Sequence, residues 1–275
     1  LAVRQRGLAK QVDGFVRRPE SIGECEKCGA VNRATTDLRN AVENADLVVL
    51  CTPIAQMRAL TEKMLPALKH DAIVTDVGSV KGKVVEELEP LVAGAGAQFI
   101  GSHPMAGAEK MGVSAARGDL FENAVCVVTP TPKSSAKSVR RLEEFWRAVG
   151  GKPVRLKPQL HDEFVSRSSH LPHVVAAELA NYVLSPVHPK EQALLCANGF
   201  RDTTRVASGS PEMWRDIALA NRQNLARVLG VFIEDLQELQ LALENADPKL
   251  IQEFFEMAKL RRDQWCAQPA SPSPE

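Results

Sequence analysis

The feature that most constrains this chain is a change of period. Over residues 1–157, short runs rich in β-branched residues alternate with helix-length amphipathic stretches; from Gln159 to Trp265 the strand-like runs stop and long three-four spacings take over. Alternating strand and helix is the pattern of parallel strands joined by helical crossovers, whereas sustained helical periodicity must bury its apolar stripe against other helices. The fold class that follows is α/β, with a doubly wound sheet domain over 1–157, an all-helical dimerisation domain over 158–267 and a disordered tail over 268–275, where Pro and Ser dominate. A chain of 275 residues that is 44% hydrophobic can bury two such cores.

The runs that read as strands are Val12–Val16, Leu47–Cys51, Ala72–Asp76, Gln98–Ile100, Val125–Thr129 and Val154–Leu156. Between them, Asp37–Asn44 (capped by Thr36 or Asp37), Ile54–Leu68, Val80–Val92 and Ser134–Val149 carry helical spacing. In the second half, Val174, Val175, Ala177, Leu179, Tyr182 and Val183 predict a helix buried on more than one side. Leu225, Val228, Leu229, Phe232, Ile233, Leu236 and Leu239 form a second stripe, long enough to pack into a homodimer.

Bulk properties exclude several classes of partner. The 34 basic and 34 acidic residues cancel, so no global field draws the chain to nucleic acid or an anionic membrane. No apolar run reaches a membrane span, and Leu1–Lys10 is too charged for a signal sequence, which predicts a cytoplasmic protein acting on a small molecule. Cys51 and Cys126 fall in strand-like runs and Cys196 in a helical one, where a thiol behaves as a small hydrophobe. Cys25 and Cys28 have metal spacing, but a second ligand pair is missing, so no metal site is expected.

In doubly wound sheets ligands gather at the carboxyl ends of the strands, which directs attention to Arg17-Arg18, Thr52-Pro53, Gly78-Ser79 and His103. The opening strand and G-x-G-x-x-G turn of a dinucleotide domain are absent from the given chain, because Leu1–Gly7 reads as the latter part of the first helix. Either the sequence omits residues of the whole protein or its hold on a cofactor is weak. An acidic residue normally ends the second strand when NAD binds; here Val16 stands there, followed by Arg17 and Arg18. A guanidinium pair suits the extra phosphate of NADP, with NAD as the alternative.

Two motifs follow strands: Asp76-Val77-Gly78-Ser79-Val80-Lys81-Gly82-Lys83 and Gly101-Ser102-His103-Pro104-Met105-Ala106-Gly107-Ala108-Glu109-Lys110. Glycines on both sides of His103 would leave room for a ligand, and Pro104 would stiffen a turn presenting the imidazole, which makes His103 the candidate catalytic residue of a dinucleotide-dependent oxidoreductase. His70, His161 and His188 sit in surface-like contexts and are expected to be solvated. His170 and His173 share a helix face but lack a third metal ligand.

These motifs resemble those of the prephenate and arogenate dehydrogenase family of tyrosine biosynthesis. The resemblance continues through Ser169-His170-Leu171-Pro172-His173, Gly199-Phe200-Arg201-Asp202-Thr203-Thr204-Arg205 and Met213-Trp214-Arg215-Asp216, and so covers nearly the whole chain except the tail. It implies that His103 takes the proton of a cyclohexadienol ring hydroxyl while Ser79 supports that hydroxyl. It also implies that Arg205 binds the ring carboxylate, and that His173, Glu109, Arg201 and Trp214 line or gate the pocket around the side chain. The reaction implied is oxidative decarboxylation of prephenate to 4-hydroxyphenylpyruvate, with hydride passing to NADP. Arogenate dehydrogenase and a dual-specificity cyclohexadienyl dehydrogenase are the alternatives of the same class. His173 and Arg201 favour the more anionic pyruvyl side chain of prephenate.

Two rivals stand beside this reading. A hydroxyacid dehydrogenase of similar architecture would use a lysine in its helical domain, where this chain has Arg201. A non-enzymatic dimeric sensor would account for the missing glycine loop. With no segment for a separate regulatory domain before the tail, any feedback by tyrosine is expected to act at the active site.

Overall fold

The structure is a computed structural model that describes residues 1–107 and 112–267. Glu109 and the tail at 268–275 therefore lie outside the described residues. Two compact units divide the chain, Leu1–Asn221 and Arg222–Glu275.

The first unit opens on helix α1 (Ala2–Gln5) and strand β1 (Asp13–Phe15), followed by α2 (Glu20–Lys27), β2 (Arg33–Thr35) and α3 (Leu38–Val42). The Asp37 carboxylate accepts from the backbone N–H groups of Arg39 and Asn40, the cap read in the sequence. Then come β3 (Leu47–Leu50), α4 (Ile54–Met64), β4 (Ile73–Asp76), α5 (Gly82–Gly94), β5 (Gln98–Phe99), β6 (Gly101–Pro104), β7 (Val125–Thr129), α6 (Ala136–Ala148) and β8 (Lys152–Arg155). β1 and β2 pair in parallel, β3, β4 and β5 form a parallel sheet, and β7 pairs in parallel with β8 and antiparallel with β6.

Consecutive strand residues face different cores, as a period of two requires. Val48, Leu50, Val74 and Phe99 pack with Met57, Met64, Val84, Leu88 and Val92 of α4 and α5. Leu47, Ile100, Cys126 and Val128 join Ala2 of α1 and Val139, Leu142 and Trp146 of α6. Helices thus cover the strands from both cores, the doubly wound arrangement expected.

Five readings of the sequence need correction. Residues 101–104 form strand β6 rather than a turn, because Ser102 bonds Asp76 and His103 pairs with Val127. The room left by Gly101 belongs to protein side chains: a Cβ there would meet Thr129 Oγ1 at 2.6 Å and Val85 Cγ2 at 2.9 Å. Cys51 is exposed one residue past β3, and Cys196 follows a short 3₁₀ turn rather than lying in an α-helix. His161, expected to be solvated, is wholly buried.

A continuous helical rod runs from residue 158 to 183, composed of α7 (Pro158–Val165), a turn of π-helix (Ser166–His170) and α8 (Leu171–Val183). Helix α9 (Asn198–Thr204), a 3₁₀ turn over Arg205–Ser208 and α10 (Pro211–Ala220) complete the first unit. The second unit pairs α11 (Arg222–Glu244) with α12 (Pro248–Ala267). Ile233, Leu236, Leu250, Phe255 and Trp265 are among the large apolar residues exposed on these two helices. Among the described residues no helix is long and apolar enough to cross a membrane.

Candidate functional site

The loop after β4 is organised from below by Asp76. Its carboxylate accepts the backbone N–H of Gly78 at 2.8 Å and that of Ser102 at 3.2 Å, and it pairs with the ammonium of Lys81. Lys81 is fully buried and also donates to Ser102 O at 2.8 Å. Burial pushes its pKa down, and the Asp76 and Asp162 carboxylates oppose that shift. Breaking one side of such a pair would leave a buried charge uncompensated, so Asp76 and Lys81 together hold β4, β6 and the Gly78-Ser79 segment in register.

His103 follows Ser102 on β6, where it is 8% exposed. Its Nδ1 lies 2.9 Å from Nε2 of His161 on α7, and Nδ1 of His161 lies 2.8 Å from Oδ1 of Asp162. Asp162 also accepts the Lys81 and Gly82 backbone N–H groups, joining α7 to the start of α5. Burial, then the Lys81 cation, then His161 and His170 hold the His103 pKa well below 6.5. His103 is therefore neutral at pH 7 and has a lone pair with which to accept a proton.

The π turn and α8 add His170 and His173. His170 is buried, and because an amide NH₂ can only donate, the Asn221 side chain at 3.2 Å makes Nδ1 of His170 an acceptor. Its pKa falls to about 4, chiefly through burial, against the opposing Asp162 carboxylate and Ser79 backbone. Asn221 also donates to Asp162 O at 2.8 Å. The His173 ring, whose Nδ1 lies 2.9 Å from Ser169 O, is tilted 30° against the Trp214 ring with centroids 3.9 Å apart, and His170 meets that same ring edge-on at 6.0 Å. Gly209 permits this arrangement, since a Cβ there would meet Trp214 Nε1 at 2.7 Å.

The residues singled out in the sequence thus fall into three groups. Thr52 and Pro53 follow β3, Gly78 and Ser79 follow β4, and Arg17 and Arg18 lie exposed just past β1. His170, His173 and Trp214 meet as one aromatic cluster. Arg201 and Arg205 are exposed on α9 and the turn that follows it, both of which pack on α8. Cys25 is buried in α2 and Cys28 is exposed at its end. The sequence reading assigns no role at the site to His161, Asp162, Lys81 or Asn221, although Lys81 stands within the motif that follows β4. A signal for the first two existed: Pro158, His161, Asp162 and Val165 form an i, i+3, i+4, i+7 stripe, and all four are buried.

The segments after the strands suit a dinucleotide. Thr52 Oγ1 is buried with no hydrogen-bond partner among the described residues, and Pro53 leaves the first N–H groups of α4 without a side-chain cap. A polar ligand at the carboxyl edge would satisfy such donors.

Comparison with known proteins agrees with this arrangement. The family model "Prephenate dehydrogenase, nucleotide-binding domain" matches residues 1–155, and "Prephenate dehydrogenase, dimerization domain" matches residues 157–259. The prephenate dehydrogenase of Bacillus subtilis (strain 168) is 33% identical over 269 residues, which is 96% of this chain and 71% of that protein. The crystal structure of prephenate dehydrogenase from A. aeolicus, in complex with hydroxyphenyl propionate and NAD+, superposes with a TM-score of 0.88 at 33% identity, covering 96% of this chain and 92% of that one. Synechocystis arogenate dehydrogenase superposes with a TM-score of 0.80 at 31% identity, covering 96% and 94%. A Rossmann-like nucleotide-binding domain joined to a helical dimerisation domain, matched along almost its whole length, makes this chain a member of the prephenate dehydrogenase family.

Proposed function

We propose that the protein oxidatively decarboxylates prephenate to 4-hydroxyphenylpyruvate, the step committing a cyclohexadienol to tyrosine synthesis. The observation that carries this reading is His103: a buried histidine kept neutral by its surroundings, at the end of the sheet where doubly wound folds bind ligands. A bound nicotinamide dinucleotide supplies the hydride acceptor. His103 takes the proton of the ring hydroxyl, and Ser79 orients that hydroxyl. Arg205 grips the ring carboxylate in a planar, two-pronged hydrogen bond until carbon dioxide leaves. His173, Trp214 and Arg201 surround the side chain; Glu109, to which the family resemblance gives the same role, lies outside the described residues.

Gly78, Thr52 and Pro53 face the cofactor, with Arg17 and Arg18 selecting NADP through its additional phosphate. Arg201 and His173 favour prephenate over arogenate because they meet a pyruvyl group with positive charge and hydrogen-bond donors. The protein works as a cytoplasmic homodimer joined through its helical domain, an assembly that would cover the apolar residues exposed on α11 and α12. We place the domain boundary at 157/158. Steady-state kinetics with prephenate and arogenate, each with NAD+ and NADP+, tests all of this together: the highest kcat/KM is expected for prephenate with NADP+. Absence of turnover with every pair would refute the activity.

A further inference from the structure

No motif contained His161, yet its ring closes on the proposed base. It has no exposed surface, and both of its nitrogens are engaged, Nε2 with His103 Nδ1 at 2.9 Å and Nδ1 with Asp162 Oδ1 at 2.8 Å. The carboxylate is fixed independently of the histidine: Oδ1 accepts the Lys81 N–H at 2.7 Å and Oδ2 the Gly82 N–H at 2.8 Å. A carboxylate only accepts, so the His161 proton sits on Nδ1 and its Nε2 is a lone pair. That lone pair requires a donor opposite, which puts the proton of His103 on its own Nδ1. The other ring nitrogen of His103 is then bare.

We propose that His161, oriented by Asp162, is a positioning residue that selects the Nδ1–H form of His103 and so leaves Nε2 as the atom that receives the substrate's proton. The proposal rests on the functional reading above. In the step concerned, the hydroxyl O–H bond breaks and its proton joins Nε2. The electron pair of the adjacent ring C–H bond leaves as hydride for the nicotinamide. The pair of the ring–carboxylate bond stays with the ring as carbon dioxide departs, and the phenolate oxygen that results takes the proton back from Nε2, giving the phenol and restoring neutral His103. His161 neither gains nor loses a proton; it accepts from Nδ1–H, a bond that strengthens as His103 becomes a cation. With the opposite tautomer of His161, a lone pair would face Asp162, and His103 would be forced to carry its proton on Nε2, where it would act as a donor instead of a base. The charged and titratable groups that act on the two rings are Lys81, Asp162 and His170; Asp76 is paired with Lys81, and the Asn221 amide bonds Asp162 O and His170 Nδ1.

Two variants and one spectroscopic measurement on the full chain test this. His161→Leu keeps bulk but removes the acceptor, and is expected to lower kcat about 100-fold with substrate KM within about threefold, the scale of a misset general base. His161→Gln, whose amide oxygen can accept from Nδ1–H, should recover at least about tenfold of that loss, whereas a purely structural role predicts no such recovery. In the unsubstituted protein with ¹⁵N-labelled histidine at pH 7.5, the ring-nitrogen signals of His103 should show a protonated Nδ1 and a bare Nε2. A protonated Nε2 on His103 would overturn the proposal, as would an undiminished kcat in His161→Leu or a glutamine variant no better than leucine. Absence of turnover in the unsubstituted protein would sink the functional reading instead, and the nitrogen signals would then decide the tautomer alone.

Discussion

At the scale of single residues, the chemistry turns on how many neighbours one imidazole has. His103 is neutral at pH 7 through burial, the Lys81 cation and two other histidines acting together, so the base is present as a lone pair at neutral pH. Replacing it by Asn leaves a polar side chain that cannot take up the proton. His103→Asn is expected to reduce kcat by about 100-fold or more with little change in KM, while Arg205→Lys should act chiefly by raising KM for the ring-carboxylate substrate, since a point charge replaces a planar fork; initial-rate measurements separate the two. His103 was legible in the sequence because a strand end and a family motif marked it. His161 was not, for a definable reason: Leu160 and Phe164 look like the buried positions of their helix, yet they are 36% and 46% exposed while the polar stripe faces in. Hydrophobic patterning misreads a helix whose core-facing side carries the hydrogen bonds.

At the scale of elements, the strands built from β-branched runs could be read almost to the residue, Val125–Thr129 being the clearest case. Strand β6 could not, since Gly-Ser-His-Pro has no strand preference of its own; it is extended because Ser102 binds Asp76 and because Gly101 lets Thr129 and Val85 close over it. Tertiary hydrogen bonds, not local propensity, make this element. Gly101→Ala should therefore cost about 1–3 kcal/mol of stability, visible as a lower denaturation midpoint, because its methyl group would enter space held by two packed side chains. An unchanged midpoint would show that the close approach of β6 to Thr129 and Val85 is not tight.

For the whole molecule, the buried histidines tie stability to pH. In the unfolded chain each takes up a proton near pH 6.5, while in the folded protein His170 resists protonation until about pH 4 and His103 is shifted in the same direction. The unfolded state thus binds more protons as acid is added, so this stability is fully present above about pH 6.5 and is lost as the pH falls below it. The His170 contribution alone amounts to about 2 kcal/mol at pH 5. Urea denaturation at pH 7.5 and pH 5 should show the loss, and equal midpoints would contradict it. The exposed apolar residues of α11 and α12 make a second whole-molecule prediction. If they form the homodimer interface, Leu236→Asp should raise the dimer dissociation constant by more than about tenfold in sedimentation equilibrium without changing the helix content.

The π turn at Ser166–His170 carries a consequence for how such a site can be lost over evolutionary time. In an unbroken α-helix, nine residues turn through about 900°, so His161 and His170 would point to opposite sides; a turn closed over one additional residue rotates everything after it by about 100°. The extra residue and the wide turn set the phase of the rod together. A variant of unchanged length in which this turn closes as regular α-helix would carry His170 and His173 about 100° away from the pair below, and turnover should vanish with helical circular dichroism undiminished. Deleting Ser168 removes the residue and the wide turn at once, two changes that cancel in angle, so that variant should keep the shared face and much of its turnover. In descendants of this sequence, a one-residue gap in this helix would then be a milder event than the loss of its wide turn.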